Sequence, residues 1–217
     1  MASDLEQDVA IVLTVDHREM ERLYEEYQRV EGDPDASEGL VRDLTRLIVQ
    51  HALAEEQVLY PVMKRALPNG EQEVADARDQ HKSIERMLEA LEQLEAQDPA
   101  FGETVRALML EVIPHAREEE EDLFPALREA VGDEEMRSLG AKIEGAKRIA
   151  PTRPHPLVPN TAPVRTMAAP MAAVADRVRD TMEERRRSGG TVRTPTIVGG
   201  ALLALGVIVV ARRLLRS

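Results

Sequence analysis

His51-Ala52-Leu53-Ala54-Glu55-Glu56-Gln57-Val58-Leu59-Tyr60-Pro61 and His115-Ala116-Arg117-Glu118-Glu119-Glu120-Glu121-Asp122-Leu123-Phe124-Pro125 are one phrase written twice, 64 residues apart. Both reduce to His-x-x-x-Glu-Glu-x-x-Leu-aromatic-Pro. Two further histidines extend the pattern outward: His17 lies 34 residues before His51, and His81 lies 34 before His115. Four of the five histidines therefore fall on a grid with an internal period of 64. On a helix, residues i and i+4 share a face, so His51 with Glu55 and His115 with Glu119 each present a nitrogen and an oxygen together.

The apolar pattern around the grid is helical throughout. Ser3-Asp4-Leu5-Glu6 reads as a capping box, followed by an apolar stripe through Val9, Leu13, Met20, Leu23 and Tyr27 until Gly32-Asp33-Pro34 interrupts it. A second helix is expected over about 37–67, with Leu44, Ile48, His51 and Glu55 inward. After the Pro68-Asn69-Gly70 turn, a third is expected over about 71–97, with Val74, His81, Ile84 and Leu88 inward. Asp98-Pro99 suits the start of a fourth, which carries Val105, Leu108, Val112, His115 and Glu119. Pro61 and Pro125 are expected to bend or stop helices near their ends. A shorter fifth helix is expected over about 133–149. The fold class is all-α: an up-down-up-down four-helix bundle over residues 1–149, with the four histidines at one height because each pair straddles its turn about equally.

Composition narrows the chemistry. The chain has 217 residues and no cysteine or tryptophan, so thiolate metal sites, iron–sulfur clusters and disulfides are excluded. Net charge is -12, unevenly spread: residues 1–150 hold 17 Lys+Arg against 36 Asp+Glu, and residues 151–217 hold 11 Arg against 4 acids. The acidic body argues against general nucleic-acid binding. No secretory leader is read at the acidic Met1–Asp8, and a cytoplasmic body is expected.

Histidine and glutamate without thiolate suit iron or manganese better than copper or structural zinc. The candidate metal ligands are His17, His51, Glu55, His81, His115 and Glu119. The repeat adds Glu21 and Glu85 as candidates, since each lies four residues after a grid histidine. Glu56 and Glu120 are read as acids behind the ligands or at the surface, Tyr24 and Tyr27 as core packing, and His155 as an unremarkable linker histidine.

Over roughly residues 5–130 the chain resembles the hemerythrin-like (HHE cation-binding) domain, and the two HxxxEExxL[YF]P phrases carry the likeness. The resemblance implies a four-helix bundle with a non-haem di-iron centre, in which His17, His51, Glu55, His81, His115 and Glu119 match the ligand motif. It departs from oxygen-carrying hemerythrins at His81-x-x-x-Glu85, where they have a second histidine, and at His115-x-x-x-Glu119, where they have HxxxxD. An anionic ligand in place of imidazole favours the ferric state. The implied role thus leans from oxygen storage toward binding of oxygen, nitric oxide or peroxide in iron and redox homeostasis. The rivals are a di-iron oxidase or peroxidase-like enzyme and a membrane-tethered interaction protein with a structural metal.

Beyond residue 149 the texture changes. Residues 150–192 form a Pro/Arg-rich linker, expected to be stiff and unpacked, with a short amphipathic stretch over about 171–187. Residues 193–217 hold the apolar run Ile197–Ala211, 15 residues without a charge between arginines. As a helix it spans about 22 Å, short of a hydrocarbon core of about 30 Å unless Thr194–Thr196 join it. The leading expectation is a tail anchor. The other readings are an apolar helix folded back on the bundle and an address resembling the cargo-loading tails of enzymes packed in encapsulin shells.

Overall fold

The computed structural model describes residues 8–154, 176 and 179–181. The chain divides into two units, Met1–Val178 and Arg179–Ser217, and all the grid residues belong to the first. Among the described residues there is no strand. The order is α1 Val9–Val30, α2 Pro34–Ala54, a π turn Glu55–Leu59, α3 Tyr60–Ala66, α4 Gly70–Leu91, α5 Pro99–Glu118, a second π turn Glu119–Leu123, and α6 Phe124–Ile149. α1 packs on α2, α4 on α5, and α6 lies against both α1 and α2.

The ends of the helices follow local chemistry. α1 starts at Val9, where the Asp8 carboxylate accepts the Ala10 N–H at 2.9 Å; the Ser3–Glu6 capping box falls outside the described residues. Asp33 caps α2 by accepting from the Ala36 N–H, with Pro34 at the first helical position, as both residue types favour. α4 ends at Leu91, six residues short of the expected Gln97. The backbone there tightens into three-residue turns, Gln93 N–H to Ala90 and Leu94 N–H to Leu91. The Asp98 carboxylate closes them by accepting the Glu95 N–H at 3.1 Å. Because it faces backward, Asp98 does not cap α5 with its side chain.

Pro61 and Pro125 stop neither helix. Each follows a π turn in which a residue bonds five back: Tyr60 N–H to the Glu55 carbonyl, and Phe124 N–H to the Glu119 carbonyl. The wide turn absorbs one extra residue. It widens the inward face, so Tyr60 and Met63 are buried beside the expected Leu59 and Val62, while Val58 is half-buried. The expected fifth helix is the second arm of α6, which bends at Gly132 (φ 78°, ψ 166°), a conformation a side chain would strain.

The core falls into two apolar clusters. One contains Leu13, Leu59, Met63, Leu127, Met136 and Ile143; the other contains Leu23, Leu44, Leu88, Phe101 and Leu108. The grid histidines interrupt the apolar stripes between them: His17 stands between Leu13 and Met20, and His51 between Ile48 and Ala54. Apolar burial on both sides thus leaves a polar layer in the middle of the protein.

Residues 150–154 are not the unpacked linker expected. Ala150, Pro151, Thr152 and Pro154 are buried, and the Asp176 carboxylate accepts the N–H groups of Thr152 (2.9 Å) and Arg153 (3.2 Å). The amphipathic stretch lies largely, and the C-terminal apolar segment entirely, outside the described residues. Among those residues no helix is long and apolar enough to cross a membrane.

Two glycines in helices test the packing. A Cβ on Gly70 would stand 2.1 Å from the Met63 carbonyl oxygen, whereas one on Gly39, inside α2, would meet nothing within 4 Å. Gly70→Ala is expected to destabilise by about 2 kcal/mol, and Gly39→Ala to stabilise by up to about 1 kcal/mol. Urea unfolding of both variants checks the pair; equal midpoints would contradict the packing described.

Candidate metal centre

Six grid residues from four helical stretches meet in the polar layer, all of them buried. They form two triads: His17, His51 and Glu119, and Glu55, His81 and His115, with the candidate ligand atoms of each triad all within 4.8 Å of one another. Metal bonds of about 2.1 Å to nitrogen and oxygen set ligand atoms at comparable spacings. In each triad the histidines come from one half of the repeat and the carboxylate from the other. Each carboxylate thus groups with the other half's histidines as well as facing the histidine four residues before it. Glu55 points one oxygen at His51 Nε2 (3.2 Å) and the other at His81 Nε2 (3.4 Å). Glu119 does the same between His17 (3.2 Å) and His115 (3.5 Å). Both carboxylates span the two triads, as bridging ligands would.

Neither Glu55 oxygen nor Glu119 Oε2 has a hydrogen-bond partner, though all three atoms are buried. An ionised carboxylate in a protein interior costs several kcal/mol unless positive charge lies beside it. The imidazoles compound the problem, because Nε2 faces Nε2 at 3.3 Å between His17 and His51 and at 3.0 Å between His81 and His115. Cations between these donors satisfy both sets at once, so the residues fit a two-metal group.

Each histidine is held from behind through Nδ1. His17 donates to Glu120 (2.8 Å), His51 to Asp16 (3.2 Å) and His115 to the Gln80 side-chain oxygen (2.8 Å). His81 Nδ1 lies 3.0 Å from the Tyr60 hydroxyl and 3.8 Å from Glu56. An acceptor at Nδ1 leaves the Nε2 lone pair aimed inward, the arrangement metal-binding histidines use. Asp16 is itself anchored by Lys147 at 2.6 Å.

A cavity of about 20 Å³ adjoins the four histidines, lined by the repeat pairs Met20/Ile84, Ile48/Val112 and Ala52/Ala116. It is apolar apart from the imidazole edges and has room for about one water-sized molecule.

Charge is concentrated here. Burial opposes charging His51, but Glu55, Asp16 and Glu119 outweigh it and hold its pKa up at about 10. Burial is likewise outweighed at His81, where Glu55 and Glu56 hold the pKa at about 9. His115 is pushed down by burial, with the charges of His81 and His51 adding to the effect. Glu55 stays well below the usual carboxylate range despite its burial, because His51 and His81 flank it.

The six core candidates come together, but Glu21 and Glu85 join neither triad. Glu21 pairs with Arg18 at 3.1 Å, and Glu85 is half-buried on α4. The residue standing where an oxygen carrier has histidine is therefore outside the cluster, and the donor set is four imidazoles and two carboxylates. Asp16, Gln80, Tyr60 and Lys147 were missed as supports. The repeat held a signal for two of them: Asp16 and Gln80 are 64 apart, each just before a grid histidine, and each contacts the other histidine of its half.

Metal requires neutral imidazoles, whereas His51 and His81 carry protons in the metal-free protein at neutral pH. Loading at pH 7.5 is expected to release about two protons per chain, and affinity to rise with pH through 9–10. Both pKa values are raised above 6.5, so the stability they confer is full below pH 6.5 and lost as pH rises through 9 to 10. The metal-free protein should therefore melt progressively lower over that window, and the loaded protein much less so. An indicator-dye titration and melts from pH 6.5 to 10 check both; loading without proton release would contradict the assignment.

Comparison with known proteins agrees with this geometry. The family model for the hemerythrin HHE cation binding domain matches residues 9–143. An uncharacterized hemerythrin-like protein of Schizosaccharomyces pombe is 30% identical over 172 residues, covering 78% of this chain and 83% of that protein. A DNA nickase of a Nostoc species is 30% identical over 143 residues, 65% of this chain but only 40% of the nickase. No solved structure gives a significant match. With the match covering more than half of its length and both triads inside it, the chain belongs to the hemerythrin HHE cation-binding family.

Proposed function

We propose that this protein holds two iron ions between His17, His51, His81, His115, Glu55 and Glu119, within an up-down-up-down four-helix bundle. Its role on this reading is to bind a small ligand, oxygen, nitric oxide or peroxide, in iron and redox homeostasis. The observation that carries it is the pair of crossed triads around buried carboxylate oxygens without hydrogen-bond partners. Iron held there would supply a redox couple and a Lewis acid for a small ligand.

The chain's own residues do the rest. Glu120, Asp16 and Gln80 hold their histidines in the tautomer that turns Nε2 inward. The apolar walls of the 20 Å³ cavity limit an occupant to a few atoms and keep bulk water away. Tyr60 places a hydroxyl at the edge of the cluster, 3.0 Å from His81. DNA nicking, the activity for which the Nostoc relative is named, is not part of this reading: the net negative charge of residues 1–150 repels a phosphate backbone.

Protein purified aerobically is expected to carry about two irons per chain and a near-ultraviolet ferric absorption, and His115→Ala to lose most of both. A folded protein that takes up no iron would overturn the reading. Peroxide turnover abolished by His115→Ala would move it to the enzymatic alternative, while stoichiometric binding without turnover keeps it a binder. The membrane tether rests on Ile197–Ala211 and its flanking arginines. Fractionation of full-length protein beside a chain lacking residues 188–217 tests it, and equal solubility of the two would end it.

A further inference from the structure

A cleft of about 290 Å³ opens between α4 on one side and α5, the second π turn and the start of α6 on the other. Its rim carries Glu73, Asp76, Glu118 and Asp122, all exposed. No lysine or arginine among the described residues pairs with any of the four. Deeper in, the same cleft is lined by His115 and Glu119; Glu119 is 3% exposed, turns Oε1 toward His115 at 3.5 Å, and its Oε2, which faces His17, lacks a hydrogen-bond partner. Gln80 stands at the neck: its amide oxygen accepts from His115 Nδ1 at 2.8 Å, and its nitrogen donates to Glu118 at 3.3 Å.

Two other cavities among the described residues are chemically different. The 20 Å³ cavity is apolar apart from its imidazole edges and presents no carboxylate to draw in a hydrated ion. The larger cleft between α1 and α6, about 940 Å³, reaches Glu120 but none of the six cluster residues, and has Arg128 in its wall. Of these three cavities among the described residues, the acidic cleft is the one that joins solvent to candidate ligand atoms through carboxylates, which attract a cation and replace its water as it sheds it.

We infer that this cleft is the entry route for divalent cations to the His115/Glu119 side of the centre, with Glu73, Asp76 and Asp122 collecting ions at its mouth. The inference rests on the metal-centre reading. Rim carboxylates act on arrival rate, because a cleft of one sign focuses the field and concentrates counter-ions, a 10- to 1,000-fold effect on association in general. They leave the final ligand set untouched.

The test is stopped-flow loading of the metal-free full-length protein with Co(II), followed by its visible absorption bands, at low and high salt. Glu73→Gln, Asp76→Asn and Asp122→Asn combined are expected to slow loading about tenfold at low salt, with the gap closing as salt screens the field. End-point stoichiometry, final spectrum and far-ultraviolet dichroism should be unchanged. A control removing the same charge elsewhere, Glu89→Gln with Glu95→Gln and Glu103→Gln, should load at the unaltered rate. If the rim variant loads as fast as the parent, or the control slows equally, the route is wrong while the centre stands. If the parent shows no Co(II) bands at all, the centre itself is refuted and the route with it.

Discussion

Glu55 and Glu119 put carboxylates in the middle of an apolar core, beyond the reach of water, where an unsatisfied ion is costly. Much of the surrounding structure answers that constraint. Four imidazole nitrogens converge on the two acids, four groups behind the rings hold them in place, and two apolar clusters close over the layer from either side. Carboxylates in turn act on the rings: Glu55, Asp16 and Glu119 hold His51, and Glu55 and Glu56 hold His81, toward the charged form despite full burial.

The site is a duplicated object with deliberate inequalities. Equivalent residues 64 apart do equivalent work: Asp16 and Gln80 behind the second histidine of each half, Glu120 and Glu56 behind the first. The halves differ where one side chain differs. Tyr60 reaches His81 with a hydroxyl, while its counterpart Phe124 stacks on His17 with ring centroids 6.3 Å apart. Lys147, from the far arm of α6, supports Asp16 and thereby His51. The two triads therefore have unequal surroundings, with the charged groups Glu120, Asp16 and Lys147 behind His17 and His51 and the neutral groups Tyr60 and Gln80 behind His81 and His115.

The two π turns tie the backbone to this chemistry. Each begins at a glutamate that spans the two triads and ends two residues before a proline, so one local irregularity serves two purposes. It lets the helix continue into a residue that has no N–H to give, and it stands where the carboxylate must reach across the bundle to the opposite histidine pair.

The helices, their inward stripes and the six converging residues were legible in the sequence, because a helix repeats every 3.6 residues and His17, His51, His81 and His115 fall on that period with matched distances to the turns. Local end chemistry was less legible: Asp98 looks like a cap for α5, but its carboxylate has a nearer donor in Glu95. Glu21 and Glu85 share the i+4 spacing of the true cluster members and still lie outside it, since spacing gives a face of the helix and not the direction or reach of a side chain. The crossing of each carboxylate to the other half's histidines, and the partners at every Nδ1, involve residues up to 103 positions apart. The sequence by itself determined a helical protein with a repeated His/Glu donor set; only the tertiary structure decided which donor meets which, because that depends on how the helices pack and where the π turns widen their inward faces.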